Sequence, residues 1–210
     1  MQTLTTPIRL YWHPLSGHAH RAELMLSLLG LPFDKVVVNL FEKEQKTPAF
    51  LDKNAFGQVP VIEDGDVTVS DSTAILVYLA KRYDKEQRWL PSDARQAAEV
   101  QRWLSVAAGA LAQGPALARL AVLFRKQRDT AACERAGQLL EVLERRLGQQ
   151  DFLVGPEATL ADLALYTYTA HAPEGGVSLE PFGSVRAWLS RIEQLPGFVE
   201  MKKTPCPEGI

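Results

Sequence analysis

The sequence predicts an α/β domain followed by an all-α domain, the first built from a βαβ unit and a ββα unit that share one mixed sheet. Three observations carry this. Strand-type alternation is confined to the residues before Tyr83, a hairpin signal at Asp64-Gly65 lies inside that region, and only helical periodicity follows it. The expected divisions are residues 1–83 for the α/β domain, 84–91 for a linker and 92–210 for the helical domain.

Ile8-Arg9-Leu10-Tyr11-Trp12 alternates as a strand does and runs through His13-Pro14-Leu15 into Ser16-Gly17-His18-Ala19-His20-Arg21. A helix follows to Leu29, stopped by Gly30-Leu31-Pro32. Phe33 to Val38 is a second strand and closes the βαβ unit. Thr47-Pro48 reads as an N-cap and first-turn proline for a short segment reaching Asn54. Gln58-Val59-Pro60-Val61-Ile62 is a strand entered through an X-Pro bond, which a first or edge position tolerates and where a cis bond is plausible. Pro60 either merely starts that strand or leaves the Val59 N–H and C=O on an open edge, free to pair with an extended ligand backbone. Asp64-Gly65 then turns the chain into Val67-Thr68-Val69 and brings Ser70-Asp71-Ser72 beside the start of the preceding strand. Ser70 to Thr73 supplies an N-cap for the apolar helix from Ala74 to Leu79.

Beyond Tyr83 the strand signals vanish. Asp84-Lys85-Glu86-Gln87-Arg88 is a charged linker, Trp89-Leu90 docks it, and Pro91-Ser92-Asp93 opens the next helix. Helices are expected from Asp93 to Gly109, from Ala116 to Arg128, and from Thr130 to Leu147 with Leu139, Leu140, Leu143 and Leu147 on one face. Another starts at Thr159, where Asp162 completes a capping-box-like turn, and a last one runs from Ser184 to Leu195. Trp103 to Phe124 is rich in Ala and Leu, as a membrane span would be. Gly114-Pro115 breaks a helix and Arg119 is costly at mid-span, so two soluble helices are expected there and no membrane.

The chemistry gathers at two helix starts and one strand edge. Ser16 falls where α/β sheets place ligands, and its hydroxyl either caps the first helix or faces a bound molecule. Asp71 and Ser72 are either plain caps or a grip for an α-amino acid end: the helix start holds a carboxylate while Asp71 takes the ammonium.

With these residues in view, the chain resembles a soluble glutathione transferase of a serine-type class, including phi-like and many bacterial members. The likeness rests on P-L-S-x-x-x-x-R at Pro14 to Arg21, N-x-F-G-Q-V-P at Asn54 to Pro60, Asp71-Ser72, and Ala158 to Tyr166 as the capped core helix of a second domain. It implies a thioredoxin-like first domain and glutathione as co-substrate. It implies that Ser16 hydrogen-bonds the glutathione sulfur, that Val59, beside Pro60, pairs with the cysteinyl backbone, and that Asp71 with Ser72 holds the γ-glutamyl end. Gln45 and Lys46 resemble the stretch that meets the glycine carboxylate, although Lys46 also fits a solvated charge, and Gln58 sits at another glutathione contact. Ala55 and Asp71 stand where the family often has Pro and Glu. A hydrophobic electrophile would lie against Trp12, Leu15, Trp103, Ala107, Leu111 and Tyr166, residues whose spacing also suits a core. Phe56 matches the place where some classes insert an aromatic key into a partner, so a homodimer is expected; Phe56 packing under its own loop is the other reading.

Composition narrows the function classes. A chain of 210 residues that is 46% hydrophobic buries a sizeable core. A net charge of −2 with interspersed signs favours neither nucleic acid nor an anionic membrane surface. Met1 to Pro7 lacks a basic region followed by an apolar one, so cytoplasmic residence is expected, where glutathione is abundant. Cys133 and Cys206 both lie far from the first helix start, where a thiol-type enzyme needs a low-pKa cysteine. The expected reaction is therefore attack of a glutathione thiolate on an electrophile, with Ser16 as hydrogen-bond donor. Glutathione-dependent disulfide reduction and a non-catalytic binding or regulatory role are the alternatives. No G-x-S-x-G surrounds Ser16, which disfavours a hydrolase. His18 and His20, at i and i+2 without a third ligand, make a poor metal site and read as solvated; His13 reads as lining the site mouth and His171 as neighbouring a loop. No metal is expected.

Overall fold

The structure, a computed structural model, describes residues 6–206. Its elements are β1 (Ile8–Trp12), α1 (Gly17–Leu28), β2 (Phe33–Val37), α2 (Pro48–Leu51), β3 (Val61–Asp64), β4 (Val67–Ser70), α3 (Ser72–Tyr83), α4 (Ala94–Val106), α5 (Leu117–Leu120), α6 (Thr130–Leu147), α7 (Leu160–Ala170) and α8 (Gly183–Glu193). Two compact units result, one running through Gln87 and including Leu195–Met201, the other comprising Arg88–Gln194 and the residues from Lys202.

The first unit holds a four-stranded sheet in the order β2-β1-β3-β4. β1 and β2 are parallel and the other pairs antiparallel, the mixed topology of a thioredoxin-like domain. Side chains alternate across the sheet. Tyr11 and Val61 face a cluster with Val38 and Phe50, the Tyr11 and Phe50 rings meeting edge to face at 6.1 Å. Ile8, Leu10 and Ile62 are fully buried on the opposite face, where α1 and α3 pack with Leu24, Met25, Ile75 and Leu76. Each such side chain contributes about 1.5–3 kcal/mol by leaving water. The edge strand β2 is blunted by Lys35, which pairs with Glu23 at 3.0 Å and lies over the Trp12 ring.

In the hairpin Asp64 pairs with Val67, so the loop is Gly65-Asp66, with positive φ at Gly65 alone. That is the pattern of a two-residue loop led by glycine. Asp64 is thereby the last strand residue, and its carboxylate accepts from the hydroxyls of Tyr78 and Tyr83 on α3.

The second unit is helical and departs from expectation in one element. Ala94–Arg125 is a single helix of 32 residues rather than two. Gly114-Pro115 does not break it, because the stretch Ala107–Ala116 is wound in π-helical turns, whose longer hydrogen-bond spacing accommodates the missing proline N–H and the ring's bulk. Packing favours continuity: a Cβ on Gly114 would stand 2.9 Å from the Ala136 N, so the glycine lets the helix press directly on α6. By length and hydropathy this helix would suit a membrane, yet half of its most apolar window is buried in the protein.

α7 is buried along Leu160–Thr169 and starts in a capping box formed by Thr159 and Asp162. Asp162 also accepts from the Leu153 N–H and the Trp188 Nε1–H, both at 2.9 Å, tying α7 to its neighbours. Buried Glu174 accepts from Arg119 Nε at 2.6 Å, from the Thr204 N–H at 3.0 Å and from the Thr204 hydroxyl, and contacts His171 Nδ1 at 2.5 Å.

Leu195–Met201 belongs to the first unit, not to the helical domain the sequence suggested. Ser27 Oγ donates to the Gly197 carbonyl at 2.6 Å, and His20 Nε2 meets the Val199 carbonyl at 2.9 Å. Backbone carbonyls make these ties, which leave no side-chain pattern to read.

Candidate functional site

Three strands end in one row. Tyr11 pairs with Val61, and Val61 with Ser70. The chain leaving β1 toward Ser16, the chain entering β3 through Val59-Pro60 and the chain leaving β4 into Asp71 therefore lie together at one end of the strands. β3 is an interior strand paired on both sides rather than the open edge the sequence allowed.

Ser16 is the N-cap of α1, its Oγ accepting from the Ala19 N–H at 3.2 Å. Only the acceptor side is used: the hydroxyl proton reaches no other described residue. The positive end of the α1 dipole favours an anion here. Upstream, His13 is buried, its Nδ1 accepting from the Leu15 N–H at 3.2 Å while its ring meets the exposed Phe41 edge to face at 5.8 Å. Burial lowers its pKa and favours the neutral ring.

The Val59-Pro60 bond is cis. Val59 anchors its side chain against the Tyr11 cluster, and its N–H and C=O bond to no described residue. The loop before it is held by buried Asn54, whose Nδ2 donates to the Gln58 carbonyl at 2.8 Å and whose Oδ1 accepts from the Phe56 N–H at 3.0 Å. Sequence reasoning passed over Asn54 as a site residue; the signal was an Asn opening a tight loop, where its side chain competes for backbone groups.

Gly57, at φ +57, lies under Gln45 and Lys46: a Cβ there would come within 2.6 Å of the Gln45 carbonyl and 2.8 Å of Lys46 Cδ. Lys46 crosses it to donate to the Phe56 carbonyl at 2.9 Å, so its ammonium is tethered rather than merely solvated. The Gln45 Oε1 is buried without a partner among the described residues. Gln58 is exposed. Thr47 makes no side-chain cap for α2; its hydroxyl donates to the Glu44 carbonyl instead.

Asp71 has φ 74 and ψ 130, a backbone conformation that costs a non-glycine residue about 1–3 kcal/mol. Its Oδ1 accepts from the Thr73 N–H at 2.9 Å, the Thr73 hydroxyl at 2.6 Å and the Ala74 N–H at 3.0 Å. Oδ2 accepts from no described residue. Burial raises the pKa of this carboxyl, but those three donors outweigh it and hold it below the usual carboxylate value. The Ser72 hydroxyl is 3.1 Å from Arg21 Nη1 and 3.3 Å from His18 Nδ1, and its backbone N–H, at the start of α3, has no described partner.

The two histidines read as solvated are placed otherwise. His18 is half-buried against Ser72 and Arg21, its pKa lowered to about 3 by burial first and the Arg21 cation second, against the opposing pull of Asp71. His20 is buried and bound to the Val199 carbonyl. Among the described residues no group of three or more His, Cys, Asp or Glu is arranged to hold a metal.

Of the residues suggested for an electrophile, Trp12 and Leu15 are half-buried in the first unit. Trp103, Ala107, Leu111 and Tyr166 are buried in the second. The Trp103 Nε1–H has no described partner, and the Tyr166 hydroxyl donates to Glu193 at 3.0 Å. Phe56 is 79% exposed and does not pack under its own loop.

Comparison with known proteins bears on the family and the fold. Family models described as the glutathione S-transferase N-terminal domain and C-terminal domain match residues 15–82 and 94–196. Glutathione S-transferase F13 of Arabidopsis thaliana is 33% identical over 212 residues, spanning 92% of this chain and 94% of its own. Glutathione S-transferase 3 of Zea mays is 33% identical over 205 residues, spanning 91% of each. A solved glutathione S-transferase from Pseudomonas fluorescens superposes with a TM-score of 0.88 at 32% identity, covering 93% of this chain and 99% of that one. A glutathione transferase homolog from Drosophila mojavensis, solved with bound glutathione, gives 0.83 at 28% identity, covering 90% and 89%.

Proposed function

The chain belongs to the glutathione S-transferase family, and from that premise we propose that its first unit binds glutathione at the Ser16–Val59–Asp71 row and presents the thiol, as a thiolate, to a hydrophobic electrophile. What carries this is the set of unspent groups along one row of strand ends. The Ser16 hydroxyl proton, the Val59 N–H and C=O, the Asp71 Oδ2 and the Ser72 N–H have no described partner.

Each matches one part of the tripeptide. Val59 pairs with the cysteinyl backbone as an added antiparallel strand would. That sets the sulfur near the α1 start, where the Ser16 O–H donates to it and the helix dipole favours its negative charge. Asp71 Oδ2 takes the γ-glutamyl ammonium while the Ser72 N–H takes its carboxylate. Lys46 and Gln45 meet the glycine carboxylate, the Gln45 amide turned so that its NH2 donates, and Gln58 adds a further polar contact. No cysteine lies near Ser16, so the attacking sulfur is that of glutathione.

The electrophile, in this proposal, contacts the half-buried Trp12 and Leu15 beside the start of α1, while Trp103, Ala107, Leu111 and Tyr166 are core residues of the second unit. The protein works in the cytoplasm as a homodimer keyed by Phe56. Retention on immobilised glutathione, followed by conjugation assays over a panel of aryl halides, enals and epoxides and by a disulfide-exchange assay, tests it. Retention with conjugation is expected; disulfide turnover without conjugation would overturn the reaction assignment.

A further inference from the structure

Behind the residues that face the proposed ligand lies a buried cation. Arg21, one turn into α1 and 1% exposed, brings Nη1 within 3.1 Å of both Ser72 Oγ and His18 Nδ1. His18 Nδ1 lies 3.3 Å from the same hydroxyl oxygen. The first turns of α1 and α3 are thus joined by three side chains, and donor chemistry fixes what each can do.

A guanidinium only donates. Ser72 Oγ and His18 Nδ1 must both accept from it, so the His18 ring is neutral with its proton on Nε2. Burial and the Arg21 charge, which lower the His18 pKa, favour that same state. With a lone pair of Ser72 Oγ given to Arg21, the remaining question is where the hydroxyl proton goes. Among the described residues its one acceptor in reach is His18 Nδ1, already engaged by Arg21; a carboxylate at the α3 start is a stronger one.

We propose that Arg21 and His18 are positioning residues that turn the Ser72 hydroxyl outward as a donor and set a positive charge beneath it, making the α3 start selective for the α-carboxylate of the γ-glutamyl group. This rests on the glutathione reading above. The two charges of the γ-glutamyl end are then read separately. Asp71 Oδ2 reads the ammonium, and the Ser72 N–H and O–H, backed by Arg21, read the carboxylate.

Two analogues separate these contributions: γ-aminobutyryl-cysteinylglycine, which lacks only the α-carboxylate, and glutaryl-cysteinylglycine, which lacks only the ammonium. Their affinities and that of glutathione are measured by calorimetry on the full-length protein, on His18→Leu and on Arg21→Lys. Leucine removes the ring acceptor at a half-buried position. Lysine keeps the charge but loses the planar fork that serves two acceptors at once.

The wild type is expected to prefer glutathione over the carboxylate-free analogue by about a hundredfold, and each variant to reduce that preference by about tenfold. The preference over the ammonium-free analogue and the pKa of the bound thiol stay at wild-type values, which a general loosening of the fold would not leave intact. Variants that keep the full carboxylate preference overturn the inference while leaving the glutathione reading in place. A wild type that binds neither glutathione nor the analogues overturns the reading, and the inference with it.

Discussion

Asn54 donates to the Gln58 carbonyl at 2.8 Å and so fixes the carbonyl immediately before Val59. Its other amide atom holds the Phe56 N–H, so one buried side chain braces the loop from both ends. Asn54→Ala leaves both backbone groups without that partner. A loss of about 0.5–1.5 kcal/mol in stability is expected for each of these part-buried hydrogen bonds. Glutathione affinity should fall with it because Val59 is no longer preordered, and urea melts with calorimetric titration check both.

Ser16→Ala removes the donor proposed for the sulfur while leaving Val59 and Asp71 to bind. A thiol titrates near about 8.5 in model peptides. If the hydroxyl contributes about 1.5–3 kcal/mol to the thiolate, its loss moves the bound thiol upward by about 1–2 on the pH scale. Conjugation at neutral pH should drop and partly recover at alkaline pH. Thiolate absorbance of the glutathione-saturated proteins against pH is the measurement; coincident curves would leave Ser16 only its capping role.

Asp71→Asn keeps the size and a capping oxygen but removes the charge proposed to meet the ligand ammonium. Glutathione affinity is expected to fall by about 1.5–3 kcal/mol. Equal affinities by calorimetry would take Asp71 out of the site.

Glu174 gives the helical unit an acid-side dependence. Burial pushes this carboxyl up, but hydrogen bonds from His171, Thr204 and Arg119 outweigh it and bring its pKa from 4.5 down to about 2. A carboxyl whose folded pKa lies below its unfolded one contributes stability that is full above the unfolded value and lost as pH falls through the folded one. Thermal stability should therefore decline between pH 4.5 and about 2. Glu174→Gln should flatten this decline and cost about 3–5 kcal/mol near neutrality, since it breaks the buried Arg119–Glu174 ion pair. Circular-dichroism melts across that range compare the two.

Phe56→Ala should shift a dimer toward monomer at micromolar concentration in sedimentation. The motive is a phenylalanine 79% exposed on an otherwise braced loop. A monomeric wild type would remove the homodimer, and an undisturbed mutant dimer would remove Phe56 from it.

The legible parts of this molecule are those whose cause is local. Alternation gave β1 and β2, the turn residues gave the hairpin, and the i,i+3 spacing of Thr159 and Asp162 gave the capping box. Ser16 and Asp71 were readable as helix-start residues and Val59-Pro60 as a strand entry before any tertiary contact was known, whereas the position of that strand inside the sheet was not. The Arg21–His18–Ser72 contact was not, because more than fifty residues separate its two sides in sequence. A buried arginine and a solvated one look alike in a helical stretch. Gly114-Pro115 misled for the opposite reason: the local signal to stop is real, but the close seat on Ala136 overrides it.

The two-residue loop Gly65-Asp66 limits how this protein can change length. Side chains along β4 alternate faces residue by residue, and Asp71 follows directly after its last paired residue, Ser70. One residue added to the turn would slide β4 by a single pleat against β3, exchanging the faces to which its side chains point and carrying Asp71 away from Val59. The loop's amino acids are open to exchange, glycine at position 65 apart, but their number is not. Mutational libraries that vary this hairpin should recover substitutions freely and single-residue insertions hardly at all.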